Sequence, residues 1–167
     1  SCGGACVDPQ ADPFNCGACG NNCASDEFCQ SGTCACRPGL TSCGGDACVD
    51  TTSSSLNCGG CGVPCADPLA FCSGGSCAAA CAAGETACGS TAQSCVRLDT
   101  DDRNCGACGA VCAVDQVCVA GACVHYSIGR GCTTCPCVVD PNCVVGPCCR
   151  YPGTAQVICL PWGSTCP

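Results

Sequence analysis

The spacing C-x2-C-x3-C occurs three times, at Cys16, Cys19 and Cys23, at Cys58, Cys61 and Cys65, and at Cys105, Cys108 and Cys112. Thiolates at such spacing can hold zinc, copper(I) or an iron–sulfur centre, or the same sulfurs can close disulfides. The composition favours disulfides. The chain has 31 cysteines in 167 residues, no lysine, and six aromatic side chains, whereas thiolate chains that store metal usually carry many lysines and lack aromatics. So many thiols would stay reduced in an ordinary cytosol and stabilise nothing without a metal, so an oxidising, secreted location is expected. These nine cysteines therefore read as structural disulfide cysteines, and no metal or cofactor is assigned. Calcium is the remaining metal option. Asp8, Asp12, Asp99, Asp101 and Asp102 fall in equivalent loops, as does Asp50, but calcium needs several oxygens converging, and solvated turn residues are the alternative. Catalysis has little to stand on. The single histidine, His125, belongs to no motif, and no G-x-S-x-G, H-E-x-x-H or P-loop occurs, so the reading is non-enzymatic.

The elements that would hold these residues are repeats. The ruler C-x9-C-x2-C-x3-C-x5-C-x4-C runs from Cys6 to Cys34, from Cys48 to Cys77 with one inserted residue, and from Cys95 to Cys123. Asn15, Asn57 and Asn104 each open an N-C-G-x-C-G element, which reads as a tight turn suited to left-handed backbone. The expected organisation is a first repeat over 1–35, a second over 36–80, a third over 81–123, and a distinct eight-cysteine module over 124–167. Eight cysteines admit on the order of 100 pairings, and spacing selects none of them. The first repeat lacks the cysteine that would stand seven positions before Cys2. The odd cysteine is therefore expected at that edge, with Cys2 the candidate for an unpaired or interchain thiol.

The fold class expected is small and disulfide-rich: short β-hairpins and irregular loops in tandem, a β-rich stapled C-terminal module, and essentially no helix. No window has sustained 3.6-residue periodicity, and Gly 23 and Pro 11 punctuate the chain. Leu, Ile, Val and Phe are too few for a conventional core, so covalent staples must replace apolar burial. Each unit is expected to touch chiefly its neighbours, giving an elongated body. Phe28, Phe71 and Val117 precede matching cysteines and read as each unit's small core. The vicinal Cys148 and Cys149 read as pairing elsewhere. Net charge −8 without lysine argues against nucleic acid, and no run of about 20 apolar residues offers a membrane span. Tyr151, Trp162, Arg130 and Arg150, all off the ruler, are the candidates for an interface, since Trp, Tyr and Arg are favoured there. N-x-S/T is absent, while Thr51 to Ser55 and Thr133 with Thr134 could carry O-glycans. The sequence begins at Ser1, has no methionine and no charged-then-apolar leader, and reads as a mature chain or a segment of a longer precursor.

The element C-V-D-x6-N-C-G-x-C-G-x2-C-x5-C-x2-G-x-C, seen from Cys6 and, with one inserted residue, from Cys48, resembles the stigma-specific Stig1-like cysteine-rich family. The likeness extends over residues 2–123. The third copy departs from it at Arg97, where the others have Asp8 and Asp50. The resemblance implies a secreted regulatory protein, with lipid and receptor binding in segments that have no match here. The functional expectation is a non-catalytic extracellular structural protein, a stapled rod that assembles with itself or with extracellular matrix. The alternative is a secreted Stig1-like ligand-binding or signalling module for a receptor, glycan or lipid head group. A defence peptide or protease inhibitor carried by the tail is the third reading.

Overall fold

The structure is a computed structural model describing residues 2, 6–45, 47–66, 71–89, 93–129, 132–137, 140–144, 146–152 and 156–167. The x4 spacing at the end of each ruler leaves two residues for a turn, and this sets the main hairpins. They are β1 (Glu27–Gln30) with β2 (Thr33–Cys36) in the first unit, β5 (Phe71–Ser73) with β6 (Ser76–Ala78) in the second, and β9 (Gln116–Val119) with β10 (Ala122–His125) in the third. The central turn residues are Ser31 and Gly32, Gly74 and Gly75, and Ala120 and Gly121. All have positive φ, as a right-twisted two-residue hairpin turn demands. Shorter pairs precede two of these hairpins: β3 (Thr41–Ser42) with β4 (Cys48–Val49), and β7 (Thr86–Cys88) with β8 (Ser94–Val96). A parallel contact of Cys72 with Ser94 joins the second and third units into one sheet, ordered β6-β5-β8-β7. In the tail, β11 (Ser127–Ile128), β12 (Cys148–Arg150) and β13 (Val157–Cys159) form a sheet ordered β11-β13-β12. A four-residue helix, α1 (Pro141–Val144), is the one helix among the described residues. No helix among the described residues is long and apolar enough to cross a membrane.

Fifteen disulfides use thirty cysteines and follow one order. Numbering the eight cysteines of a unit in sequence, the second unit pairs 1–3, 2–5, 4–7 and 6–8: Cys36–Cys48, Cys43–Cys61, Cys58–Cys72 and Cys65–Cys77. The third unit repeats that order in Cys81–Cys95, Cys88–Cys108, Cys105–Cys118 and Cys112–Cys123. The first has Cys2–Cys19, Cys16–Cys29 and Cys23–Cys34. The tail, with different spacing, pairs Cys132–Cys137, Cys135–Cys148, Cys143–Cys159 and Cys149–Cys166, again 1–3, 2–5, 4–7 and 6–8. The tail thus shares the repeats' pairing order, one among on the order of 100, on a different cysteine spacing. What differs is strand pairing, since Cys148 and Cys149 share β12 and face Cys159 and Ile158. The vicinal cysteines thus pair elsewhere.

The expectation for Cys2 is corrected. Cys2 is the second cysteine of its unit and joins the fifth, Cys19, as Cys43 joins Cys61. The cysteine outside the fifteen disulfides is Cys6, third in its unit and exposed. Its counterparts Cys48 and Cys95 bond to Cys36 and Cys81.

The turn element N-C-G-x-C-G has a repeated physical reason. The Asn side chain accepts from the N–H of the second Gly: Gly20 to Asn15 at 2.9 Å, Gly62 to Asn57 at 2.8 Å, Gly109 to Asn104 at 2.8 Å. The first Gly lies against the hairpin turn, so a Cβ at Gly106 would strike the carbonyl of Gly121, and one at Gly59 would stand 2.8 Å from that of Gly75. Gly106→Ala adds this backbone clash to the left-handed strain at φ 75° and is expected to destabilise by about 2 kcal/mol or more. Gly109→Ala, at φ 73° but facing open space, should show about half that loss, and equal denaturant midpoints for the two variants would refute the close-approach explanation.

The elongated body is also corrected. Phe28 of the first unit stacks on Tyr151 of the tail, ring centroids 5.6 Å apart and planes at 8°, while Tyr126 meets Tyr151 edge-on at 5.3 Å. Val117, Val119, Cys149, Tyr151, Ile158 and Leu160 form one buried cluster shared by the third unit and the tail. Phe28 and Val117 therefore serve a common core rather than separate ones, and the chain folds back so that its first unit rests on its third and its tail. The hairpin β9–β10 runs to His125 and β2 runs to Cys36, each one or two residues past the expected unit boundaries.

Candidate functional site

The ruler lets each unit serve as a control for the others. Asp8 and Asp50 cap their own loops, accepting from Gln10 N–H at 3.0 Å and Thr52 N–H at 2.8 Å. The third unit has Arg97 at that place, paired on the surface with Asp99 at 3.1 Å. The residue before the repeated Asn is exposed Phe14 in the first unit and exposed Leu56 in the second, but half-buried Arg103 in the third. Arg103 donates from Nη1 to the Cys48 carbonyl at 3.3 Å. No carboxylate among the described residues lies within ion-pair reach of it.

Both substituted positions line one cavity of about 320 Å³ between the second unit, the third unit and the tail. Arg37 lines it too, so three of the chain's five cationic side chains meet at one cleft. The carboxylates of its wall are held by the chain itself. Glu85 accepts from Ala82 N–H at 3.0 Å and Ser73 Oγ at 2.7 Å, and Asp101 from Arg103 N–H and Asn104 Nδ2, both at 2.8 Å. Asp50 takes the hydroxyls of Thr52 and Ser53. A more open cavity of about 590 Å³ shares Asp50, Val96, Asp101 and Arg103 with the first.

One side of the cleft is a buried polar junction. Arg37 is 2 % exposed. Its guanidinium donates to Asp102 Oδ2 at 2.9 Å and to the carbonyls of Ala113 at 2.6 Å and Gln116 at 3.3 Å. Asp102 also accepts from Cys118 N–H at 2.6 Å and from Tyr151 Oη at 3.2 Å. Burial pushes the Tyr126 phenol up to about 12, against the opposing pull of Arg37, and raises that of Tyr151 further. Tyr151 is therefore a neutral donor to Asp102 at physiological pH.

The residues singled out from sequence fall as follows. Cys16, Cys19, Cys23, Cys58, Cys61, Cys65, Cys105, Cys108 and Cys112 all lie in disulfides. The sulfurs of Cys16, Cys23 and Cys34 gather within 4.8 Å, as do their equivalents in the other repeats, because the 4–7 and 6–8 disulfides lie side by side. None of the calcium candidates belongs to a cluster of three or more metal-binding side chains among the described residues. Asp12 holds Phe14 N–H and Asn15 Nδ2, and Asp8, Asp99, Asp101 and Asp102 have the partners named above. His125 lies on the surface, its Nδ1 2.9 Å from Asp115 and its Nε2 3.0 Å from Gln116 Nε2. Of the interface candidates, Trp162 is 88 % exposed and Arg150 is exposed, while Arg130 lies outside the described residues. Tyr151 is corrected: at 2 % exposure it is a core residue, because its ring is packed between Phe28 and Tyr126. Ser53 and Ser55 are buried, whereas Thr133 and Thr134 are exposed.

Sequence reasoning passed over Arg37 and Arg103. The signal for Arg103 was present in the alignment of Phe14, Leu56 and Arg103 before the three asparagines. That many disulfides suit an oxidising, extracellular-type environment. No curated protein and no solved structure matches the chain. The model of the Stigma-specific STIG1-like protein family matches residues 1–37, so the segment carrying the first copy of the ruler is Stig1-like and cysteine-rich.

Proposed function

We propose that the chain is a secreted, non-catalytic recognition module, a disulfide-stapled frame that presents the cleft between its second unit, third unit and tail to a ligand at the cell surface or in the matrix. The observation that carries this reading is the gathering of Arg37, Arg97 and Arg103 in one cleft of a chain with net charge −8. Concave sites with a few convergent polar groups are where small ligands bind. The test is capture of glycans, peptides and lipid vesicles by the intact oxidised protein, beside a variant whose cleft is filled by Thr100→Trp. Capture lost on filling supports the reading. Capture that is absent in the parent chain, or indifferent to filling, overturns it.

A second reading, self-association into a structural subunit, is favoured by Trp162, since an aromatic side chain 88 % exposed suits an interface anchor. Sedimentation velocity over a range of concentrations tests it. Association that disappears in Trp162→Ser supports it, and a monomer at every concentration removes it.

A further inference from the structure

We infer that the cleft takes a singly charged, carboxylate-bearing sugar, its carboxylate held by Arg103 and Arg97; this rests on the recognition reading above. The third unit departs from its sister copies at these two positions, in both cases to arginine. Neither arginine is required by the repeat fold. Asp8 and Asp50 fill the first position and Phe14 and Leu56 the second, in copies with the same disulfide order. Both arginines line the same cavity. Arg97 has Asp99 beside it, and Arg37 is occupied by Asp102. Arg103 is different. The residue is half-buried, and its guanidinium makes a single hydrogen bond, to the Cys48 carbonyl, and has no carboxylate within reach among the described residues. A partly desolvated cation left in that state is poised for an anion, and a guanidinium fork matches a planar carboxylate in two parallel hydrogen bonds.

The surroundings set the rest of the ligand. Asp50, Glu85 and Asp101 stand in the same wall and the whole chain is acidic, so a polyanion or a doubly charged phosphate is repelled while one carboxylate is tolerated. Those carboxylates retain lone pairs beyond their internal hydrogen bonds, and Thr100 adds a hydroxyl, so the wall can receive sugar hydroxyls. Half-buried Leu40 supplies an apolar surface for the C–H face of a pyranose ring. A volume near 320 Å³ accommodates one or two sugar rings.

The experiment is titration of the oxidised protein with methyl glucuronide, methyl glucoside and inorganic phosphate, followed by amide chemical shifts and calorimetry. The glucuronide is expected to shift amides around Arg97 to Arg103 and to bind at least about tenfold more tightly than the glucoside, as loss of a charge-assisted hydrogen bond implies. Arg103→Gln, and separately Arg97→Asp, which installs the residue of the sister copies, should each weaken the glucuronide about tenfold and leave the glucoside unchanged. Retained disulfide map and amide dispersion in both variants exclude a folding defect. Equal binding of the two sugars, tighter binding of phosphate, or unaltered binding in both variants overturns the inference. If Thr100→Trp abolishes capture of some other ligand while glucuronide does not bind, the carboxylate assignment falls and the recognition reading stands. If filling the cleft changes nothing, both fall.

Discussion

Alanine at Asp102 is expected to open the fold-back of the chain at a cost of about 3–5 kcal/mol, the range for removing one partner of a buried ion pair. Three groups lose their acceptor together: the buried Arg37 guanidinium, the Tyr151 hydroxyl and the Cys118 N–H. Arg37 would keep only carbonyls around a full charge, and its side chain is 3 % exposed, so water cannot replace the carboxylate without a structural opening. The consequence is specific to this architecture. Every one of the fifteen disulfides closes within a single unit or the tail, so none ties the first unit to the third or to Tyr151. The docking is therefore held by the Phe28–Tyr151 stack, the packing of Val114 against Cys16, Cys23 and Cys29, and the bonds of Arg37, just past β2 at the start of the second unit, to Asp102 and the carbonyls of Ala113 and Gln116. Asp102→Ala should leave each stapled unit intact while the scattering radius of gyration grows, near-UV dichroism from the stacked rings falls, and the Cys118 amide exchanges faster. Unchanged dimensions and unchanged exchange would mean that the pair is incidental. The double replacement Arg37→Met with Asp102→Leu should recover the part of the loss that comes from the unpaired guanidinium, while the Tyr151 hydroxyl and the Cys118 N–H stay without their acceptor.

The same junction explains how far the sequence could be read. The repeats were legible because the ruler and its Asn and Gly positions act locally: Asn104 caps Gly109 five residues on, and Gly106 meets the turn at Gly121 within one unit. Small disulfide-rich hairpins without long helices follow from that spacing. The pairing order was not legible, since cysteines separated by similar distances are equivalent on paper, and only folded geometry distinguishes Cys16–Cys29 from Cys16–Cys34. The fold-back left no local mark either. Arg37 and Asp102 are 65 residues apart and Tyr151 is 49 beyond Asp102, so no window contains the contact. Tyr151 looked like a surface anchor because it lies off the ruler, yet the ruler describes only what the units share. The positions at which one copy breaks that shared pattern, Arg97, Asp102 and Arg103, are the ones that build the junction and the cleft. Comparison of copies within the chain was the available signal, and it had to be applied to the loops between cysteines rather than to the cysteines.

Full reduction is expected to abolish the fold, and its course should follow burial. Cysteines outnumber all other residues in the buried apolar set, so the interior consists largely of sulfur bridges rather than aliphatic packing. Each bridge contributes roughly 2–4 kcal/mol, non-additively, against a typical net stability of about 5–15 kcal/mol for a domain. Loss of even a few therefore exceeds the margin, and the reduced chain has too little apolar surface to collapse on its own. The order of loss follows access of a reducing thiolate to sulfur. The 4–7 bridges are shielded at both ends: Cys16 and Cys29 at 0 and 2 % exposure, Cys58 and Cys72 at 5 and 0 %, Cys105 and Cys118 at 7 and 0 %. In the repeats the 2–5 bridges each end in an exposed cysteine, Cys19, Cys61 or Cys108, and so do two of the 6–8 bridges, at Cys77 and Cys123. Graded treatment with a small thiol, alkylation and peptide mapping should find the repeat bridges that end in an exposed cysteine, Cys2–Cys19, Cys43–Cys61, Cys65–Cys77, Cys88–Cys108 and Cys112–Cys123, opened first and the 4–7 bridges of the three repeats retained longest. Amide dispersion should disappear as the 4–7 bridges go. A fully reduced chain that keeps dispersed amide signals would show that packing alone suffices, and early loss of Cys105–Cys118 would show that its sulfurs are not shielded by the Asp102 junction above them.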